Sequence, residues 1–116
     1  MKNDSYFCEK MITDIKFICE HMAGVLPEEL QKNEILLDSM MFRLIQISEN
    51  SKHLSDEFKN NNKYVPWFEI AGLRNRIVHD YGNVDLHIVY DTLSKDIPEL
   101  YALLKSNGGD FLMNNA

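Results

Sequence analysis

Apolar residues recur in this chain at intervals of three and four over most of its length, and no stretch shows strict alternation. That period marks one face of an α-helix, so the chain is restricted to helices packed on helices. The first series is Phe7, Cys8, Met11, Ile12, Ile15, Ile18, Cys19 and Met22; Asp4 or Ser5 is its candidate N-cap, and Gly24 followed by Pro27 ends it. A second runs from Leu30 to about Ser55 through Ile35, Leu36, Leu37, Met40, Met41, Leu44, Ile45 and Ile47, filling more than one stripe. Such a helix should be covered on two sides. Lys59-Asn60-Asn61-Asn62-Lys63 reads as a polar connection. Asn83 or Asp85 can cap a later helix with Leu86, Val89, Tyr90, Leu93 and Ile97 inward, and Pro98 either kinks it or opens a final turn set through Leu104. The expected architecture is an all-α, up-and-down bundle of four to five helices over residues 1–105, with Gly108-Gly109 marking a flexible tail over 106–116.

The most informative segment lies between Pro66 and Gly82. Proline suits a first helical turn and glycine the residue that ends one, so a single helix is predicted between them. Trp67, Ile70, Ala71, Ile77, Val78 and Tyr81 make its apolar stripe, and Arg74 falls where the stripe should continue. Asn75 and His79 border that face, while Arg76 and Asp80 point to water. Each has an ordinary explanation. Arg76 and Asp80 form an i, i+4 surface pair, a histidine near a helix end satisfies the C-terminal dipole, and a lone arginine can lay its stem on the core.

Composition narrows the function. The 116 residues, 45% of them hydrophobic, make one small domain for which association is a reasonable way to cover apolar surface. A formal charge of −6 argues against a broad nucleic-acid-binding surface, so contact with RNA would need a local basic cleft. No run of about 18 apolar residues suggests a membrane span and no secretory signal leads the chain, which reads as cytoplasmic. Cys8 and Cys19 sit on one predicted helix roughly 16 Å apart, too far to bridge, and are expected to be reduced core thiols. Neither has metal-ligand spacing, and no glycine-rich phosphate loop occurs, so no metal or cofactor is expected. Met40 and Met41 read as core filling; Arg43 is either a snorkelling surface residue or a source of positive charge for a cleft.

Taken together as Arg74-Asn75-x-x-x-His79-x-Tyr81, after Pro66-Trp67-Phe68-Glu69-Ile70-Ala71-Gly72-Leu73, the segment resembles the motif of the HEPN superfamily, and in particular of HepT-like toxins. Val84-Asp85-Leu86-His87-Ile88-Val89-Tyr90 and Asp96-Ile97-Pro98-Glu99-Leu100 are similar to the last helices of that family. Ser48, Asn50 and Ser51 depart from it, standing where small Gly and Ala residues are frequent. The resemblance implies a toxin ribonuclease of a type VII-like toxin-antitoxin pair that cuts RNA without a metal and spares DNA. Arg74 would stabilise the phosphate, His79 would act as general acid/base and Asn75 would orient either. It also implies a homodimer and an MntA-like nucleotidyltransferase antitoxin that places AMP on Tyr81. On one straight helix Arg74 and His79 project about 140° apart, which favours a composite cleft built by two copies. The alternatives are a non-catalytic helical subunit that binds a nucleotidyltransferase and a structural helical dimer without ligand.

Overall fold

Asn3 starts the first helix: its Oδ1 accepts the Tyr6 amide at 3.1 Å, and α1 runs Asp4–Met22. The cap is therefore neither Asp4 nor Ser5. Asp4 is used elsewhere, accepting the amide and hydroxyl of Ser55 at 2.8 and 2.7 Å. The computed structural model describes residues 3–78 and 84–106 of the chain. Gly24 ends the first run as expected, with a φ of +73° that side-chain-bearing residues rarely adopt.

The second predicted helix is two. Pro27 opens α2 (Pro27–Lys32), and Asn33 interrupts: its Oδ1 accepts the Leu36 amide at 3.0 Å and starts α3 (Glu34–Lys52) afresh. An asparagine offering its own acceptor competes with the helical ladder, and here the cap wins. Ser55 caps α4 (Asp56–Asn61), so much of the expected polar connection is helical. α5 (Trp67–Ala71) and α6 (Leu73–Ile77) follow, then α7 (Leu86–Asp91), capped by Asp85 through the amides of His87 and Ile88. A π-helical stretch over Thr92–Asp96 joins α7 to α8 (Ile97–Ser106) without a gap. Pro98 explains that stretch: it has no N–H for the carbonyl four residues back, and the Ile97 amide reaches Thr92 instead.

Side-chain bonds fix the directions. Ser55 meets Asp4, so α3 runs antiparallel to α1; Trp67 Nε1–H donates to the Asn62 carbonyl at 3.0 Å, so α5 begins at the end of the short α4 that follows α3. The Tyr90 hydroxyl donates to the Val25 carbonyl at 2.7 Å, which places α7 beside the end of α1. The four rods α1, α3, α5–α6 and α7–α8 thus go up, down, up and down. Their shared core holds Ile15 and Ile18 from α1, Met40, Leu44 and Ile47 from α3, Ile77 from α6, and Val89 and Leu93 from the last rod. α3 packs on α1 to one side and on α5 and α6 to the other, as its doubled apolar stripe predicts. Among the described residues no helix is long and apolar enough to cross a membrane, and Cys8 and Cys19 are both free thiols.

Candidate active site

The motif segment is not one helix. Its ladder breaks at Gly72, and α6 stops at Ile77 because Val78 is extended, with φ −115° and ψ 98°. Val78 pairs with Val84 as an isolated antiparallel bridge. A β-branched residue suits that extended backbone, and the bridge draws together the two sides of the segment that links them. The prediction of a single helix from Pro66 to Gly82 is therefore corrected. The 140° separation of Arg74 and His79 on a helical wheel has no meaning once the helix has ended between them.

Arg74 is also displaced from its predicted place. The buried stripe consists of Ile70, Leu73 and Ile77, with Leu73 taking the position assigned to arginine, and Arg74 and Asn75 are exposed. Because α6 restarts after the break, its inward face is set anew. Arg76 is exposed too and lies 3.7 Å from the Asp96 carboxylate on the last rod. The ion pairs among the described residues leave the Arg74 guanidinium without a carboxylate partner. An exposed guanidinium with no carboxylate partner among the described residues can meet an anion, and the adjacent Asn75 carboxamide offers both donor and acceptor. His79, Asp80, Tyr81 and Gly82 lie outside the described residues, as does the tail after Ser106.

The surroundings of α6 are apolar. It finishes at the end of the bundle where α1 leads into α2, α3 begins and α7 begins. Leu26 in the first of these connections, Ile35 in the first turn of α3 and Val84 beside the bridge are all exposed, Ile35 to 84%. Phe42 is exposed seven residues after Ile35, on nearly the same side of α3. Exposed apolar side chains thus occur at the motif end and again on α3, with Asp38 and Ser39 between Ile35 and Phe42.

Other polar and charged side chains are accounted for by structure. Arg43 is committed to structure: its Nη1 is 2.7 Å from Asp14 Oδ1, and its guanidinium carbon stands 3.8 Å from the centre of the Phe17 ring. His21 stacks on Phe17, His53 on Phe7, and His87 is 3.4 Å from Asp91. Asn62, read from sequence as a turn residue, is buried and structural, its amide donating to the Phe58 carbonyl at 2.8 Å. A groove of about 450 Å³ opens between α5–α6 and α8, floored by Ile70, Leu73 and Leu100 and edged by Glu69, Glu99 and the Arg76–Asp96 pair, an edge that is acidic on balance. Its acidic edge does not suit a phosphodiester. Among the described residues no group of three or more His, Cys, Asp or Glu side chains is placed to hold a metal ion.

A four-rod helical domain that breaks its third rod and exposes Arg74 and Asn75 on α6 has the architecture of a HEPN-type helical domain. The family model described as Ribonuclease HepT-like matches residues 11–106, and the chain belongs to that family. A candidate RNase of Caldanaerobacter subterraneus subsp. tengcongensis is 33% identical over 105 residues, covering 90% of this chain and 94% of the relative. A Methanocaldococcus jannaschii protein named as a γ-glutamylcyclotransferase and candidate RNase is 27% identical over 99 residues, 85% of this chain and 45% of its own length. A protein of Thermococcus cleftensis named as a candidate ribonuclease HepT is 37% identical over 54 residues, 47% of this chain and 49% of its own. The chain thus spans nearly all of the first relative and about half of each of the other two. No solved structure matches it.

Proposed function

We propose that the chain is the toxin ribonuclease of a toxin-antitoxin pair, cutting RNA at a cleft formed by two copies. The observation that carries this reading is the exposed Arg74-Asn75 pair at the start of the Arg-Asn-x-x-x-His-x-Tyr motif, in a chain of the ribonuclease HepT-like family. In the reaction His79 takes the proton of a ribose 2′-OH as that oxygen attacks the adjacent phosphorus. The bond from phosphorus to the 5′-oxygen breaks and that oxygen is protonated, leaving a 2′,3′-cyclic phosphate and a 5′-OH. Arg74 stabilises the charge gathering on the non-bridging oxygens, and Asn75 orients the phosphate or the imidazole. DNA lacks the attacking hydroxyl and is not cut.

The exposed Ile35 and Phe42 on α3, with Leu26 and Val84 at the motif end, support a homodimer that covers apolar surface, and in this reading the dimer supplies two copies of Arg74 to one cleft. The antitoxin is an MntA-like nucleotidyltransferase, which transfers AMP from ATP to the Tyr81 hydroxyl with release of pyrophosphate. The added phosphate charge and bulk near Arg74 would exclude an RNA phosphate.

The test is incubation of the purified protein with total RNA in EDTA, beside its His79→Gln form, with mapping of product ends. Cyclic-phosphate ends made only by the unmutated protein support the reading. If neither protein cuts and the mass of Tyr81 peptides shows no AMP, the ribonuclease reading is refuted in favour of a non-catalytic subunit that binds a nucleotidyltransferase.

A further inference from the structure

The break that displays Arg74 is held from outside its own rod. Gly72 N–H reaches back to the Phe68 carbonyl and Arg76 N–H to the Gly72 carbonyl, each at 3.1 Å. Between these two bonds lies the Ala71 carbonyl, and it accepts the Ser48 hydroxyl of α3 at 3.0 Å. Ser48 is fully buried, and its own carbonyl accepts the Ser51 hydroxyl at 2.7 Å. Gly72 does not demand the break by itself. Its φ of −84° is open to any residue, and a Cβ there would stand 3.5 Å from the Phe68 carbonyl oxygen, an ordinary contact. A carbonyl at a helix break in the interior needs a donor, and the hydroxyl supplies one where the helical ladder has opened.

We propose that Ser48 is a positioning residue for the ribonuclease site: by holding the Ala71 carbonyl it sets the direction in which α6 presents Arg74 and Asn75. The consequence for cleavage rests on the proposed function, whereas the hold on α6 does not. Ser48 bonds to the backbone three residues before Arg74 and acts through it. Without the hydroxyl, the Ala71 carbonyl is free to pair with the Asn75 amide, and α5–α6 relaxes toward a continuous helix. A shift of about 1 Å in a phosphate-stabilising group is enough to cost up to about 100-fold in rate.

The experiment compares Ser48→Ala with Thr92→Val, which removes another buried hydroxyl whose bond, to the Ile88 carbonyl at 2.8 Å, stays within its own rod. Single-turnover and steady-state RNA cleavage are measured together with amide hydrogen exchange at Asn75 and Arg76. The expected result for Ser48→Ala is a fall in kcat of about tenfold with KM within about twofold, and exchange at the two amides altered more than about threefold. Thr92→Val leaves all of these in place. Unchanged exchange in Ser48→Ala overturns the proposal whatever happens to cleavage; altered exchange with an unchanged kcat overturns the positioning role. If the unmutated protein cuts no RNA while Ser48→Ala still alters exchange, the ribonuclease reading fails and the hold of Ser48 on α6 stands.

Discussion

Replacing Arg43 with Met tests whether this arginine is a structural partner or a reserve of cleft charge. Its guanidinium is 2.7 Å from Asp14, whose side chain is 8% exposed, while Arg43 itself is 27% exposed. Removing one member of a fully buried pair costs about 3–5 kcal/mol, because the other charge is left without compensation. Water reaches part of Arg43, so a smaller loss of about 2–3 kcal/mol is expected, including its contact with the Phe17 ring. For a domain of this length that corresponds to a fall in Tm of about 8–12 °C, at roughly 4 °C per kcal/mol. Thermal and urea unfolding should be run at one protein concentration, since association contributes to apparent stability. The double variant Asp14→Leu with Arg43→Met should recover most of the loss, because no buried charge then remains. Cleavage per folded molecule should be unchanged in the single variant. A Tm shift under about 2 °C, or a double variant no more stable than the single, would refute the account of a mostly buried pair.

Arg74→Ala should lower RNA cleavage by about 10²–10³-fold and leave Tm within about 2 °C, since the side chain is exposed; equal losses of activity and stability would place it in the core instead. Burial, with the nearby charges of Glu9 and Asp4 in support, pushes the Cys8 thiol up to about 12, so at pH 8 it should resist thiol reagents in the folded protein and react in urea. Linkage gives the sign: below the ordinary thiol value of 9.0 the contribution to stability is intact, and it declines as pH rises from there toward 12, because the unfolded chain releases the proton first. Alkaline unfolding that is insensitive to Cys8→Ala would contradict this. Gly72→Ala should be accommodated, with Tm steady or higher by a few degrees; a fall above about 5 °C would show that the break needs the missing Cβ.

Local rules read from single residues described much of this fold in advance. The period of three and four marks α1, α3 and the last rod, Gly24 ends α1 and Asp85 caps α7. The motif residues identified the family, whose model matches residues 11–106. These features are legible because a helical period, a cap or a left-handed glycine depends on neighbours within about four residues.

The rest depended on contacts distant in sequence. Whether Arg74 lies on the buried stripe was decided by the break at Ala71–Gly72, and the Ala71 carbonyl is bonded by a serine 23 residues earlier. Arg43 was committed by Asp14, 29 positions away. The end of α6 was set by the pairing of Val78 with Val84, which no helical period anticipates. Pattern in the chain thus determined where most of the helices run and to which family the chain belongs. Tertiary structure alone decided where the third rod breaks and that Arg43 is committed to a carboxylate, because a buried carbonyl or carboxylate must find its partner wherever packing has placed one.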